Sequence, residues 1–596
     1  MKIHILVKRT HFDERAANDF ARRLDGNLCR ILKEPQATFT HDGSVTGSPP
    51  ATPYATTAAT TPQPPESPVD STAIDKLLQI VAATAEMQPA QIDPMTTQLV
   101  TLGLDSVIAI RICQEARKQG IQITVRDVID GKTCFGIAAR APAATHSSTP
   151  SLARSNDLSG PISILPGQHF QLAAALLSAS ESGIYVFAWQ MDRQLQQERV
   201  SRAWSTLIQE QEILRGRFAA GDQDQIIISF DANPQEPQFH SISDASIGGV
   251  RAAIAHLHRA ATRPNSAQLH HLQPADHAHG SIIVLRLSHA LYDSQSFSTM
   301  SKRLIELLLS SRQSSPTYAP SFSTIAQAAR ALASSDQSQA YWKQAIAKVE
   351  ATLLGPNQVA SVGRVEFTWI RDILEDVSKV RTNLLRARSP VTLQSLIIAA
   401  WAKVLAAATR RSSSVVGFLH AGRSSSVAQI DEAPGPCSNV LPVMVQNAAT
   451  GKLLDLALAV QSDLDQRRDF EQVSLPEICG WLGRKPDSRL FDTVLNILWD
   501  SVEPKSPDQA FEQVDLGPPS DYYHDHEKHE ELRALLRRSP LVPHAAIALN
   551  IDVVYNKGTD SVDLAFKYTT DVVKKHQVEA FASDISKLLL DHLNNL

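Results

Sequence analysis

The sequence predicts an α+β protein in which a small, all-helical unit is joined by linkers to a larger unit of strands and helices. Two stretches, residues 36–71 and 141–160, are rich in Pro, Thr, Ala and Ser and cannot bury enough apolar surface to fold. The segment between them, residues 72–140, carries apolar residues at helical spacing. Beyond the second linker, residues 281–287 are rich in Ile, Val and Leu and predict a buried strand, which a helical pattern follows.

Composition and charge narrow the classes of partner. A chain of 596 residues that is 43% hydrophobic can bury several cores, and domain sizes predict about three to five units. Its 57 Lys and Arg against 62 Asp and Glu give a net charge of -5, which offers no basic footprint for nucleic acid or an anionic membrane. The cysteines are scattered without a CxxC pair, and neither a signal peptide nor a transmembrane run is present. We therefore expect a cytoplasmic protein whose partners are proteins or small molecules.

Residues 1–35 predict one strand and one short helix, which is too little to fold alone. The same pattern recurs at the other terminus, so that Phe20 aligns with Phe581 and Leu32 with Leu593. Either two amphipathic strand-helix units share a pattern by chance, or residues 1–35 are the remnant of an upstream domain of the same kind. Whether Met1 is a true start or marks a truncated gene model stays open.

The helical unit places a serine at the start of a helix. Ser106 follows Gly103, Leu104 and Asp105, and an apolar helical pattern follows it. A phosphate diester there is favoured by the free backbone N–H groups and the helix dipole, although a plain N-cap is the commoner use of such a serine. The segment resembles the L-G-x-D-S motif of thiolation (peptidyl carrier) domains of nonribosomal peptide synthetases, over residues 72–140. The resemblance implies covalent 4′-phosphopantetheine on Ser106 beside Asp105, and a phosphopantetheinyl transferase as partner.

A histidine and an aspartate stand where the predicted strand ends. His289 leaves the strand, Asp293 follows it, and Ser294 or Ser296 is available to cap the next helix. A histidine at a strand end is often structural, but imidazole also exchanges protons near neutral pH, so it suits proton transfer from an attacking amine.

Residues 161–596 resemble the condensation domains of the same synthetases over their full length. The family's motifs occur in order as ILPGQHFQL, AWSTLIQEQEILRGRF, SHALYDS, VTLQSLIIAAWAKVLAAAT, VVGFLHAGRS and GPCSNVLPV. The resemblance implies two lobes of the chloramphenicol acetyltransferase type, residues 161–350 and 351–596, with a tunnel between them. It also implies that His289 promotes amide formation.

The active-site motif departs from the usual HHxxxDG at two positions, because Ser288 replaces the first histidine and Ser294 the glycine. Fungal cyclising or terminal condensation domains resemble the sequence better, since their pattern SHxxxDxxS fits Ser288, His289, Asp293 and Ser296 residue by residue. The two substitutions therefore do not argue for an inactive site.

Asp293 is interpreted as structural support, because a buried carboxylate there needs a cation. Arg215 and Arg286 are the candidates for that partner. Arg423 is interpreted as a surface charge near the lobe boundary. Asn439 either donates a hydrogen bond towards the tunnel or fixes its turn, with neither reading preferred.

Two further groups have structural interpretations. Trp401 is expected in the core. A metal site at His270, His271, His277 and His279 is not expected, since no cysteine or paired carboxylate stands at ligand spacing.

The order of units indicates the function. A condensation-like tail, a carrier and a condensation domain, with no adenylation unit between them, resemble the C-terminal end of fungal hydroxamate siderophore synthetases of the ferrichrome type. The resemblance implies that aminoacyl or peptidyl thioesters are joined or cyclised, with upstream adenylation and condensation domains as partners. A cyclising domain for another fungal peptide and a non-catalytic carrier scaffold remain alternatives, and neither the amino acid nor the choice between elongation and cyclisation can be read.

Overall fold

The computed structural model describes 18 segments of the chain, and all structural statements below refer to them. They comprise residues 71–85, 87–102, 106–141, 160–177, 183–221, 225–231, 235–244, 246–260, 267–275, 280–310, 320–347, 350–355, 364–386, 391–499, 511–513, 539, 542–556 and 558–593. The predicted condensation-like remnant at residues 1–35 lies outside the described residues, as do almost all of the two predicted linkers.

The strands of the described segments are numbered in chain order. They are β1 Ile162–Ser163, β2 Ile184–Met191, β3 Gly216–Ala220, β4 Ile226–Phe230, β5 Gln238–Ile242, β6 Gln268–Pro274, β7 Ile282–Ser288, β8 Val365–Leu374, β9 Ser414–His420, β10 Asn439–Val445, β11 Thr493–Trp499, β12 Phe511–Gln513, β13 Leu549–Asn556 and β14 Ser561–Thr569.

The α-helices are numbered in the same way. They are α1 Ser71–Ala85, α2 Ser106–Lys118, α3 Val125–Gly131, α4 Cys134–Ala138, α5 Pro166–Leu177, α6 Gln197–Glu210, α7 Ile247–Ala260, α8 Ser294–Leu309, α9 Phe322–Ala333, α10 Asp336–Ala345, α11 Val377–Arg386, α12 Leu393–Thr409, α13 Leu453–Gln466, α14 Leu475–Trp481, α15 Val542–Ala545 and α16 Lys575–Leu593.

Helices α1 to α4 form a small bundle with a core of its own. Its buried residues include Leu77, Val81, Ile112 and Ile137, which the helical spacing of apolar residues directs to one side of each helix. Helix α3 begins with a reciprocal capping box between Thr124 and Asp127, which pairs the first free N–H groups. The predicted all-helical unit is therefore present.

The larger unit contains two main sheets. The first has the strand order β12-β2-β7-β6-β5 and the second the order β10-β9-β11-β13-β14-β8, and a separate sheet has the order β1-β4-β3. Strand β12 comes from the second half of the chain but pairs antiparallel with β2 in the first half, with Phe511 opposite Met191. The first sheet is thus completed by a segment that the sequence places far away.

Helices cover the sheets and supply the cores. Helix α12 is apolar around most of its circumference, as expected for a helix buried on all sides, and Trp401 on it is fully buried. The expected core role of Trp401 is confirmed. One core cluster combines first-half residues such as Leu285 with Leu441 and Phe491 of the second half, so the two halves share buried surface. The predicted α+β class, with a helical carrier-like bundle beside a two-sheet unit, is confirmed.

Among the described helices, none has both the length and the apolarity that crossing a bilayer requires.

Candidate active site

The central strand β7 delivers His289 to the site. Strand β7 is flanked by β2 and β6 and ends at Ser288, which pairs with Ile184. The chain then turns through the 3-10 segment His289–Leu291, and the backbone N–H of His289 donates to the carbonyl oxygen of Gly183 at 2.8 Å. A buried strand followed by a pinned turn fixes the position from which the imidazole projects.

The His289 ring is held by aromatic neighbours and by one backbone acceptor. It stacks on Tyr292 with ring centroids 4.8 Å apart and meets the edge of Tyr185 at 5.1 Å. Nδ1 lies 3.3 Å from the carbonyl oxygen of Tyr292, an atom that only accepts hydrogen bonds, so Nδ1 is the donor. In the neutral imidazole the lone pair is therefore on Nε2, which is the arrangement a general base needs.

Asp293 caps helix α8 through its side chain and backbone together. Its Oδ1 accepts from the backbone N–H of Ser296 at 2.9 Å, and the Ser296 hydroxyl accepts from the Asp293 N–H at 3.0 Å. This is a reciprocal capping box, so the expectation that Ser294 or Ser296 caps the helix is corrected: Asp293 is the cap. The capping box also gives a structural reason for the D-x-x-S spacing, and it occupies the Ser296 hydroxyl in holding the helix.

The cation beside Asp293 is Arg423, from a segment 130 residues away. Its Nη2 donates to both Asp293 oxygens at 2.9 and 3.0 Å, and the N–H of Cys437 donates to Oδ2 at 2.9 Å. Burial alone raises the pKa of the Asp293 carboxyl, but the Arg423 guanidinium and the N–H donors of Ser296 and Cys437 outweigh burial and hold the pKa below its usual value. Asp293 is therefore a paired carboxylate that supports the turn.

Three arginine assignments made from the sequence are corrected. Arg423 is 1% exposed and is not a surface charge. Arg215 donates to the carbonyl oxygen of Asp231, and Arg286 donates to Oε1 of Gln268 at 3.1 Å. Neither is the partner of Asp293, because closeness in sequence does not indicate which arginine the fold brings to a buried carboxylate.

Helix α5 contacts the 3-10 turn His289–Leu291, called the histidine turn below, in a way that the sequence did not reveal. The buried amide of Gln168 donates to the carbonyl oxygen of Ala290 at 3.0 Å and accepts from the N–H of Leu165 at 2.9 Å. Gly167 beside it is close to the 435–439 loop, since a Cβ there would lie 1.8 Å from the carbonyl oxygen of Ser438. The opening motif ILPGQHFQL contains Gln168 and so marked this region of the sequence. The role of Gln168 depends on its packing against the histidine turn, which the motif does not show.

Replacing Gln168 with leucine is expected to destabilise the histidine turn. The substitution keeps the size but leaves the Ala290 carbonyl and the Leu165 N–H buried without this partner, at a cost of about 1–3 kcal/mol. Thermal unfolding should show a lower melting temperature for Gln168→Leu, whereas Gln171→Leu, at a partly exposed position of the same helix, should melt like the wild type. Equal melting temperatures for the two variants would contradict the assigned role.

Asn439 fixes the backbone around the site. Its Nδ2 donates to the carbonyl oxygens of Glu471 at 2.7 Å and Val473 at 2.9 Å. The structural reading of Asn439 is thus the one that its contacts support. Nearby, buried His420 bonds through Nδ1 to Glu471 at 3.0 Å.

Two of the histidines considered for a metal site lie in a strand. His270 and His271 are in β6, and both are buried. Burial lowers the pKa of each to about 4, so both are neutral at pH 7. His277 and His279 lie outside the described residues, and the described part of the chain holds no group of three or more metal-ligating side chains.

The helical bundle contacts the second half of the larger unit beside this site. The 3-10 turn Leu99–Leu102, just before α2, packs against α11, and Ala421 packs on the core of the bundle. Arg126 donates to both carboxylate oxygens of Asp469 at 3.0 Å. Ser106 is the first residue of α2, four residues after this turn.

A second cation from the bundle reaches the segment after Arg423. Arg117 forms ion pairs with Asp431 and, at 2.7 Å, with Glu432. In another pair the bundle supplies the acidic residue, since Asp130 of the bundle is 3.7 Å from Arg468 of the larger unit. The bundle is therefore attached by charges of both signs.

Comparison with protein families gives two matches. The family model described as "Condensation domain" matches residues 168–596, and the model described as "Phosphopantetheine attachment site" matches residues 75–139.

Curated relatives are long fungal synthetases. The chain is 27% identical to the ferrichrome siderophore peptide synthetase of Mycosarcoma maydis over 566 residues, which are 86% of this chain and 13% of the relative. It is 26% identical to the nonribosomal peptide synthetase fso1 of Omphalotus olearius over 559 residues, 88% of this chain and 12% of the relative. The chain thus spans 12–13% of the length of these two relatives.

Solved structures show the same fold at low sequence identity. The structure described as holo T3CT has a TM-score of 0.54 at 14% identity, with 72% of this chain and 90% of the other covered. The condensation domain from the Monacolin K polyketide synthase MokA has a TM-score of 0.53 at 15% identity, with 73% and 98% covered.

Proposed function

Because the chain belongs to the condensation domain family and carries a phosphopantetheine attachment domain in front, we propose that it forms amide bonds from carrier-bound acyl thioesters. The observation that carries the proposal is the His289 ring, whose Nδ1 is bonded to a backbone carbonyl so that Nε2 carries the lone pair.

The residues present fit covalent 4′-phosphopantetheine, which the attachment domain implies. Ser106 begins a helix of 13 residues, and the first N–H groups of a helix lack intrahelical partners, so a phosphodiester there meets donors and the positive end of the dipole. When bound, the group supplies a thiol that carries an acyl chain as a thioester. We propose Ser106 as the attachment residue; Asp105, which precedes it in the sequence, lies outside the described residues.

His289 acts on the amine substrate. As the amine nitrogen bonds to the thioester carbon and the carbon–sulfur bond breaks, the amine must lose one proton, which Nε2 of His289 accepts and passes to the departing thiolate. Asp293 does not take that proton, because Arg423 and the N–H donors of Ser296 and Cys437 stabilise it as a carboxylate. Its role is to fix the start of α8 and so the turn that carries His289.

The placement of the bundle supports delivery of substrate to this site. The turn before Ser106 packs on α11, and Arg117 pairs with the 430–433 segment that also contacts Arg423. Ser106 and Arg117 are eleven residues apart on α2, so the proposed attachment residue lies about 16 Å along the helix from the Arg117 ion pairs. The bundle therefore acts as the carrier for the neighbouring condensation domain.

Among possible pathways, we propose fungal siderophore synthesis, with the joining or cyclising release of a peptide as the step. The named ferrichrome siderophore synthetase, which the chain matches over 86% of its own length, supports that substrate class. A phosphopantetheinyl transferase and the adenylation and condensation domains of such a synthetase are the proposed partners, in the cytoplasm.

Incubation with coenzyme A and a phosphopantetheinyl transferase tests the carrier role. Intact-protein mass spectrometry should show the addition of one phosphopantetheinyl group to the wild type and none to Ser106→Ala. Ser301→Ala, in helix α8 outside the bundle, serves as the matched control and should be modified like the wild type. Modification of Ser106→Ala would overturn the assignment.

A further inference from the structure

We propose that Arg117 of the carrier is a positioning residue for the condensation site: through Asp431 and Arg423, a docked carrier holds the histidine turn in place. The proposal deepens the proposed function, on which it rests for the role of His289. It follows from a continuous series of contacts that runs from the carrier surface to the histidine turn.

The series begins at the contact between the two domains. Arg117 is bonded within the carrier to the carbonyl oxygen of Ile123 at 3.0 Å, and across the interface to Asp431 and Glu432. Its guanidinium is thus anchored on one domain and paired with the other. The side chain of Asp431 is only 5% exposed, and a carboxylate buried to this degree needs cations beside it, of which the carrier supplies Arg117.

The same turn binds Arg423 on its inner side. Nη1 of Arg423 donates to the carbonyl oxygens of Ile430 and Ala433 at 3.3 and 3.0 Å, and Nη2 donates to that of Gly435 at 2.8 Å. Asp431 and Glu432 therefore lie between Ile430 and Ala433, two of the three residues whose carbonyl oxygens orient Arg423. A shift of residues 430–435 therefore moves the carbonyl oxygens that orient the Arg423 guanidinium.

Arg423 in turn fixes the segment next to His289. It pairs with both oxygens of Asp293, and Asp293 caps α8 four residues after His289. The Asp293 carboxylate also accepts from the N–H of Cys437, which closes the 430–437 loop on the same group. If the Arg423 guanidinium is displaced, Asp293 is held less firmly as the cap of α8, and the histidine turn becomes more mobile.

Asp469, the partner of Arg126, contacts a different point of the chain, since it accepts from the backbone N–H of Ser426 at 2.7 Å. Arg126 and Asp469 are 44% and 26% exposed, and exposed pairs contribute little to stability. Arg117 is the more buried cation at 20% exposed, and it pairs with the buried turn that contacts Arg423. We therefore assign the positioning role to Arg117 and not to the interface as a whole.

Hydrogen–deuterium exchange of the full chain, without phosphopantetheine, tests the proposal. In Arg117→Ala, backbone amides of peptides covering residues 288–296 and 430–437 should exchange at least about fivefold faster than in the wild type. Arg117→Lys, which keeps the charge, should restore part of the protection. Asp431→Asn should repeat the effect from the opposite side of the interface.

Two control variants separate positioning from docking. Lys118→Ala alters the adjacent basic residue, which pairs with Glu115 of the same helix, and should leave exchange unchanged in both peptides. Arg126→Ala weakens another cross-domain pair and should affect residues 288–296 much less than Arg117→Ala does. Unchanged exchange in the α1 peptide, residues 71–85, shows that the carrier bundle remains folded.

Wild-type exchange at residues 288–296 in both Arg117→Ala and Asp431→Asn would overturn the proposal, even if the interface itself exchanged faster. This readout needs no turnover. A protein that shows the coupling but forms no amide refutes the proposed function alone, and an active protein without the coupling refutes this inference alone.

Discussion

Substitution of His289 by alanine is expected to lower amide formation by about 10²- to 10⁴-fold, the usual contribution of a positioned acid–base group. The imidazole whose Nδ1 is bonded to the Tyr292 carbonyl is lost, and with it the Nε2 lone pair that accepts the amine proton. The measurement is single-turnover product formation from a carrier-loaded acyl thioester and an amine. Loading of Ser106 with phosphopantetheine should be unaffected, because the substitution lies in the other domain.

A matched histidine variant controls for unspecific damage. His240 lies in β5 of the same sheet and bonds to His270 at 3.4 Å, outside the histidine turn, so His240→Gln should retain wild-type turnover. Full turnover by folded His289→Ala would remove the catalytic assignment of His289.

Removal of either partner of the Asp293–Arg423 pair is expected to lower the free energy of unfolding of the condensation domain by about 3–5 kcal/mol. Both side chains are at least 92% buried. Alanine at one position therefore leaves the charge of the other residue buried without its partner and without water. That cost is a large part of the total stability of a typical domain. Denaturant unfolding of Asp293→Ala and Arg423→Ala measures it, and Arg330→Ala, at a partly exposed pair with Glu477, is the control that should lose much less.

The double variant and the pH dependence make this expectation sharper. Each single substitution should lower the free energy of unfolding by more than half as much as the double substitution does. The reason is that a single substitution leaves one buried charge without its partner, whereas the double substitution removes both charges.

The folded pKa of Asp293 is below its usual value, so its contribution to stability is present above about pH 4 and is lost as the pH falls through the folded pKa. The stability difference between wild type and Asp293→Asn should therefore be constant near neutral pH and shrink in acid; a difference that grew in acid would contradict the pairing.

Much of the site was predictable from local patterns. The run Ser281 to Leu287 predicted a strand that the structure places at Ile282–Ser288, and the position of His289 after it follows from that strand. Ser106 was expected at a helix start, and α2 begins there. Strands and helix starts are set by residues that are close together in the sequence, so local patterns are enough to predict them.

Other features came only from comparing distant segments in space. The cap of α8 was misassigned because Ser294, Asp293 and Ser296 are all acceptable N-cap residues, and backbone direction chooses between them. The buried contact between Gln168 and Ala290 joins residues 122 positions apart, and no local pattern identifies it.

The sequence by itself determined the helical bundle, the strand that presents His289 and the residue types at the two proposed reactive positions, because periodicity and short motifs record local structure. The tertiary structure decided that Arg423 pairs with Asp293 and that Arg117 meets Asp431. A buried charge accepts whichever opposite charge the packing brings within a few ångströms, and that choice is set by the fold of the whole chain rather than by distance along it.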